Sequence, residues 1–96
     1  MHVKSAKLVF RLPYVSSLKQ KRQIARSMMD KAKNKFNASI AEVDLHDVHN
    51  SLAVGVSVAA ASANHAGDCL EEIIRFMDDF VDNNGHGELI ELVEYT

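Results

Sequence analysis

The sequence predicts an α+β fold, a two-layer sandwich in which two helices cover one face of a four-stranded antiparallel sheet. Two stretches carry apolar residues at spacings of three and four, which is typical of amphipathic helices. Four other stretches alternate or are rich in β-branched residues, which is typical of strands. Their order along the 96 residues is β-α-β-β-α-β. Right-handed crossovers in the two βαβ halves then place both helices on the same face.

The chain is predicted to begin with a strand followed by a long helix. Alternation over 3–12 predicts the strand, and Pro13 ends it. Ser17 and Gln20 have the spacing of a capping box, in which each side chain accepts a hydrogen bond from an unpaired N–H group at the helix start. The helix ends near Asn37. Its apolar stripe consists of Leu18, Ile24, Ala25, Met28, Met29, Ala32 and Phe36.

Three strands and a second helix are predicted for the rest of the chain. A strand over 39–46 alternates apolar Ala41, Val43 and Leu45 with polar residues, as a half-buried edge or near-edge strand does, and a strand over 51–61 follows. Asn64 is the predicted N-cap of the second helix, and Asn83-Asn84-Gly85 ends it. The strand over 88–95 is apolar on both parities, so the sequence leaves its faces unassigned. This order is that of a ferredoxin-like sandwich, which we expect to form a single domain over 1–96.

The composition excludes several classes of protein. The single cysteine, Cys69, excludes an internal disulfide and a multi-cysteine zinc site. No run approaches the roughly 18 apolar residues of a membrane span, and the N-terminal residues lack the apolar region and cleavage site of a signal peptide. We therefore expect a cytoplasmic protein with no membrane partner.

The net charge of −2 divides unevenly along the chain. Residues 1–36 hold ten Lys or Arg against one Asp, a net charge of +9, whereas residues 37–96 hold one Arg against twelve acidic residues, a net charge of −11. Such asymmetry indicates a nucleic acid or another polyanion as partner. The candidate RNA or phosphate contacts lie on the first helix, whose start near Ser17 adds backbone N–H groups, and they are Lys19, Lys21, Arg22, Arg26 and Lys33. The alternative is a solvated face balanced by acidic residues from elsewhere in the fold.

The sheet face without helices is not expected to stack bases. An RNA-recognition module of this topology carries aromatic residues on the first and third strands of that face. Phe10 falls on the helix side, and the open face of the third strand carries only small residues, Ala53, Gly55, Ser57 and Ala59. A strand of small residues permits close approach of another sheet, so a homodimer through this face is an alternative.

No catalytic or metal site is predicted, and no cofactor. Asp44, His46, Asp47 and His49 match no metal-ligand spacing, and Cys69 lies within an apolar stripe. A glycine-rich phosphate loop is absent from the sequence. A small hydrolase or metal enzyme around His46 and His49 is the weakest of the hypotheses. Ser17, Glu42, Asp44 and His46 are retained as residues with a structural or site-lining role.

Two segments resemble a known family. The segment Ser17-Leu18-Lys19-Gln20-Lys21-Arg22, followed by Phe36-Asn37-Ala38-Ser39-Ile40-Ala41-Glu42-Val43-Asp44, is similar to the YlxP-like family of small bacterial proteins, a domain of unknown function. The resemblance covers nearly the whole chain. It implies a ferredoxin-like fold, no established enzymatic activity, and genes associated with those of translation factors, including initiation factor two and ribosome-binding factor A.

The leading hypothesis is therefore a non-enzymatic accessory protein that binds structured RNA or the ribosome through its basic first helix. Its partners would be ribosomal RNA or ribosome-associated proteins. The alternative is a homo-oligomeric protein-interaction module that uses the acidic half or the open sheet face.

Overall fold

The computed structural model describes residues 1–95 and confirms the predicted fold class and the order of its elements. Each predicted strand and helix is present, with ends that shift by a few residues. The elements are β1 (His2–Arg11), α1 (Leu18–Lys35), β2 (Ser39–Asp44), β3 (Ser51–Ala60), α2 (Ala63–Asn83) and β4 (Glu88–Tyr95).

The four strands form one antiparallel sheet in the order β2-β3-β1-β4, so β2 and β4 are its edges. Residues 6, 8 and 10 of β1 pair with residues 56, 54 and 52 of β3, and these six side chains face the helices and are buried. Phe10 is fully buried there, as predicted. Helix α1 lies over β2, whereas α2 lies over β1, β3 and β4. Met28 and Met77, one from each helix, are completely buried in the resulting core.

The start of α1 differs slightly from the predicted capping box. The Ser17 Oγ accepts a hydrogen bond from the Gln20 N–H at 3.2 Å, as expected. The Gln20 Oε1, however, accepts from the Ser16 N–H at 2.8 Å and from the Ser16 Oγ at 3.0 Å, one residue before the cap. Both side chains still satisfy N–H groups that the helix leaves unpaired.

Two predicted boundaries are wrong for local reasons. Strand β2 ends at Asp44 rather than at His46, because Leu45 has φ of 57°, a left-handed conformation that a strand cannot include. Helix α2 begins at Ala63, because Ser62 is its N-cap and accepts a hydrogen bond from the His65 N–H at 3.1 Å. Asn64 therefore lies in the first turn of α2 instead of capping it. Within residues 1–95, no helix is both long enough and apolar enough to cross a membrane.

Candidate functional site

Four of the five predicted phosphate contacts form an exposed row on α1, which we call the basic ridge (Lys19, Arg22, Arg26 and Lys33). Lys19, Arg26 and Lys33 are spaced by seven residues, or two turns, so they lie on one line along the helix. Arg22 lies beside that line, one turn from Lys19. The row extends over about 21 Å of helix and flanks the buried face of α1, since Arg22 and Arg26 line a depression together with Ala25 and Glu42.

The basic ridge has no ion-pair partner in the part of the chain that the structure describes. The salt bridges among residues 1–95 are Lys7 with Asp44 and Lys21 with Glu42. The acidic residues of the C-terminal half thus form no ion pair with the ridge. If they balanced its charge by direct contact, such ion pairs would be present. Only Asp30 interrupts the ridge on its own helix, where it lines an open depression of about 640 Å³ together with Lys19, Arg22, Gln23, Arg26 and Ser27.

The acidic residues are concentrated on the opposite flank of the molecule, on α2 and β4. On α2, burial and then the neighbouring carboxylates of Asp79 and Asp82 raise the pKa of Asp78 above its ordinary value. On β4, three glutamates are exposed, Glu88, Glu91 and Glu94. Because α1 lies over β2 and α2 lies over β1, β3 and β4 on the same face, the basic residues of α1 and the acidic residues of α2 lie side by side in one layer.

The fifth predicted contact, Lys21, is wrong as a surface contact. Its side chain is 1% exposed. The spacing explains this, because position 21 shares the inner face of α1 with the buried residues Ala25, Met28 and Ala32. A lysine enclosed in this way does not reach an RNA phosphate.

The ammonium of Lys21 is surrounded by oxygen atoms. It donates to the carbonyl oxygens of Leu45 and Val48, both at 2.7 Å, and approaches those of Ser51 at 3.2 Å and His46 at 3.3 Å. A fifth oxygen, the Glu42 Oε2, lies 3.0 Å away. An ammonium has three hydrogens, so it cannot donate to five acceptors at once. Because four of the five oxygens are backbone carbonyls between Leu45 and Ser51, Lys21 holds the segment between β2 and β3 from the inside.

Glu42 completes this buried group. It lies on the helix side of β2, opposite Val54, and its side chain is 18% exposed. The Glu42 Oε2 is buried and accepts no hydrogen bond within residues 1–95, although it lies within ion-pair distance of Lys21. Lys21 and Glu42 thus form a buried ion pair, and the same ammonium also donates to carbonyls of the segment that follows β2. The apolar parity of β2, Ala41 and Val43, is exposed on the other face.

Asp44 and His46, retained from the sequence as site-lining residues, are joined by no hydrogen bond or ion pair within residues 1–95. Asp44 lies on the open face, where its Oδ2 accepts from the Lys7 ammonium at 3.2 Å and its Oδ1 from the Leu45 N–H at 2.8 Å. The Leu45 N–H and then Lys7 hold the pKa of Asp44 below its ordinary value. His46 is exposed on the following loop. Within residues 1–95, no three potential metal ligands come together.

We call the segment 45–50 the lysine-bound loop. Its residues 46–50 are all exposed. The Val48 N–H donates to the Leu45 carbonyl at 3.0 Å, which closes a turn. The Leu12 N–H donates to the Asn50 carbonyl at 2.8 Å and ties the loop to the end of β1. Together with Lys21, these bonds give an exposed loop a defined backbone.

On the open sheet face, small residues form a flat floor, as the sequence predicts for the third strand. Ser5 pairs with Ser57 there, and Lys7 pairs with Gly55. A depression of about 380 Å³ lies over this floor. The exposed apolar side chains on this face are Val3, Val43, Val93 and Tyr95.

A groove between the helices was missed by sequence reasoning. Phe36 and Phe76 pack edge to face with ring centroids 5.8 Å apart. The Lys35 ammonium lies 5.2 Å from the Phe76 centroid, and the Lys31 ammonium lies 5.2 Å from that of Phe80. The sequence placed these phenylalanines in the apolar stripes, and only the crossing of the helices shows that they border a groove of about 460 Å³.

Comparison with known proteins finds one family model and a relative that match most of this chain. Residues 3–92 match a family model described as "Protein of unknown function (DUF503)". The "Uncharacterized protein YlxP" of Bacillus subtilis (strain 168) is 30% identical over 64 residues, which are 67% of this chain and 70% of that protein. The resemblance inferred from the start of α1 and from β2 is therefore confirmed.

Among solved structures, a REP-associated tyrosine transposase bound to a REP hairpin is similar in fold, with a TM-score of 0.52. The identity is 13%, and the match covers 97% of this chain and 54% of the transposase chain. The present chain thus spans about half the length of that protein, and the similarity shows the fold alone. Since the family model extends over nearly the whole sequence, this chain belongs to the DUF503 family of proteins of unknown function.

Proposed function

We propose that this protein is a non-enzymatic accessory protein that binds structured RNA, such as that of the ribosome, through the basic ridge. The observation that carries the proposal is the exposed row of Lys19, Arg22, Arg26 and Lys33, which has no ion-pair partner within residues 1–95. Contact with a phosphate backbone requires positive charges in a row and does not require base-specific geometry. The start of α1 at Ser17 adds backbone N–H groups at one end of that row.

The sheet favours a structured RNA over a single strand. Modules that bind single strands stack bases on exposed aromatic residues. On the open face, the central strands β1 and β3 present Ser5, Lys7, Gly55 and Ser57 instead. The aromatic residue on that face is Tyr95, at the end of an edge strand. A helical surface that follows a folded RNA backbone needs no stacking platform, so the proposal rests on charge.

Charge reversal on the ridge tests the proposal. The double variant Arg22→Glu and Arg26→Glu should weaken binding to ribosomal particles or to an RNA hairpin. If two phosphate contacts are lost, the slope of log K against log salt concentration should flatten by about two. The measurement is a binding titration between about 50 and 200 mM salt.

A matched control exists on the same helix. Lys31→Glu with Lys35→Glu changes the net charge by the same amount, but these residues border the groove with α2. We expect the control to retain most of the affinity. Equal weakening by both pairs would indicate a general charge effect, and unchanged binding of the ridge variant would defeat the proposal.

The second candidate is a homo-oligomeric interaction module that uses the open sheet face. It is favoured by the exposed Val43, Val93 and Tyr95 around a floor of small residues. Light scattering of the wild type and of Ser57→Arg at high protein concentration tests it, because an arginine on the floor would separate two facing sheets. A monomeric wild type would exclude this candidate.

A further inference from the structure

We infer that the lysine-bound loop is a second phosphate-binding element, which presents the backbone N–H groups of His46, Asp47 and His49 to a phosphate of the RNA that the ridge contacts. The inference rests on the proposed function and extends its site from α1 to the adjacent loop. It follows from the way in which Lys21 orients the peptide groups of the loop.

Three peptide groups of the loop turn their carbonyls inward. The carbonyl oxygens of Leu45, His46 and Val48 lie 2.7, 3.3 and 2.7 Å from the Lys21 Nζ. Lys21 is buried, so these carbonyls point toward the interior of the protein. The negative ends of three peptide dipoles are therefore gathered on one side of the loop.

The opposite side of the loop must then carry the N–H groups. No peptide bond among residues 1–95 is cis. In a planar trans peptide the C=O and N–H bonds point in opposite directions. The N–H groups that share these three peptides belong to His46, Asp47 and His49, so they are directed away from Lys21 toward solvent.

These donors are not used within the described part of the chain. In this loop, the Val48 N–H donates to the Leu45 carbonyl and the Leu45 N–H to the Asp44 carboxylate. The N–H groups of His46, Asp47 and His49 donate to no acceptor among residues 1–95. Backbone N–H groups that point outward from a turn are the donors with which turns bind anions. The imidazoles of His46 and His49, both exposed, supply additional donors.

The loop lies next to the basic ridge. Glu42 contacts Lys21 below the loop and also lines a depression with Arg22 and Arg26. Glu42 thus places the loop beside the N-terminal half of α1, on the β2 side. An RNA strand that follows the ridge reaches these N–H groups within the same contact.

One feature of the loop opposes an anion, and it provides the test. Asp47 is exposed and carries a negative charge within the proposed site. Removing this charge should strengthen binding of a phosphate, whereas removing its N–H group should weaken it. Asp47→Asn and Asp47→Pro separate the two effects, because both remove the carboxylate and only proline also removes the N–H group.

The experiment is a titration of the ¹⁵N-labelled protein, in which the amide signals of the loop and of the ridge are followed separately. The probes are an RNA hairpin and inorganic phosphate alone. With the hairpin, the amide signals of His46, Asp47 and His49 should shift together with those of the ridge. Asp47→Asn should bind the hairpin about two- to fivefold more tightly, and Asp47→Pro more weakly than Asp47→Asn.

The outcomes separate this inference from the proposed function. If the hairpin shifts ridge signals, leaves the loop signals in place and binds Asp47→Asn no more tightly, the inference is overturned and the function stands. If it shifts neither set, the proposed function fails and the loop is no part of an RNA site; shifts with inorganic phosphate would then show that the loop holds the phosphate group alone. If Asp47→Pro does not fold, the wild-type signals and Asp47→Asn decide.

Discussion

The Lys21 ammonium lies 3.0 Å from the Glu42 Oε2, and this pair joins the inner face of α1 to the edge strand β2. The two residues belong to the two segments that carry the family resemblance, so segments that are separate in the sequence meet at one point of the structure. The Lys21 ammonium also fixes the loop between β2 and β3, because it binds carbonyl oxygens of that loop. A structural role thus explains two polar residues that the sequence placed near a site.

Replacing Lys21 with methionine should destabilise the protein strongly. Lys21→Met leaves the Glu42 carboxylate and inward-facing carbonyls without their cation, and breaking a buried ion pair costs about 3–5 kcal/mol. Urea unfolding followed by circular dichroism measures the change. The control is Lys19→Met on the exposed ridge, which should change the free energy of unfolding by about 0.5 kcal/mol or less. Similar costs for the two variants would contradict the buried role of Lys21.

The effects of Lys21 and Glu42 on stability should not add. In the Lys21→Met background, no cation compensates the charge of the Glu42 carboxylate, which then destabilises the protein. Glu42→Gln should therefore lower the free energy of unfolding less in that background than in the wild type. A double-mutant cycle of urea unfolding should give a coupling energy of about 1–3 kcal/mol. A coupling energy near zero would mean that Glu42 does not compensate the ammonium.

The sequence predicted the fold well because each element has a strong local pattern. Alternation identified the strands, spacings of three and four identified the helices, and Ser17 marked the start of α1. The same periodicity places Lys21 on the buried face, because it lies four, seven and eleven residues before Ala25, Met28 and Ala32. The prediction of an exposed Lys21 followed its residue type instead, since lysine is rarely buried.

Other features depend on tertiary contacts and have no local signal. In β2, the alternation of Ala41 and Val43 suggested a buried face, yet Ile40 and Glu42 face the helices. The reason is that Glu42 finds a partner on α1, which no pattern within β2 reveals. The carbonyls around Lys21 depend on a turn that begins with Leu45 in the left-handed conformation, an uncommon choice for leucine.

The corrected start of α2 can be tested with two neighbouring residues. Ser62→Ala removes the hydroxyl that accepts from the His65 N–H, and loss of such an N-cap costs about 1 kcal/mol. Asn64→Ala, within the first turn, should cost little, because alanine is the better helix former. Thermal unfolding of both variants gives the comparison. A larger loss for Asn64→Ala would place the cap at the position predicted from the sequence.

Lowering the pH should remove the contribution of Asp44 to the free energy of unfolding. Its pKa lies below the ordinary value of 3.8 because the charged form accepts from the Leu45 N–H and from Lys7. A lowered folded-state pKa gives stability that is present above the unfolded-state pKa and is lost as pH falls through the folded-state pKa. The difference in unfolding free energy between wild type and Asp44→Asn should therefore be constant above about pH 5 and shrink below about pH 3.9.

The control for this measurement is Asp30→Asn, whose carboxylate forms no ion pair among residues 1–95. Its difference from the wild type over the same pH range measures the effect of losing an exposed carboxylate. If the Asp44→Asn difference stays constant over the whole range, the contacts with Leu45 and Lys7 do not stabilise the folded protein.

The absence of a side chain at Gly55 should be important for stability only while Val43 is present. A Cβ at position 55 would lie 2.7 Å from the Val43 Cγ1, and the branched side chain of valine has few rotamers with which to give way. Gly55→Ala should therefore destabilise the wild type by about 1 kcal/mol. In a Val43→Ala background the contact is absent, and alanine, which loses less conformational freedom than glycine, should be neutral or stabilising. Urea unfolding of the four proteins measures both effects, and an equal cost in the two backgrounds would show that Val43 does not restrict position 55.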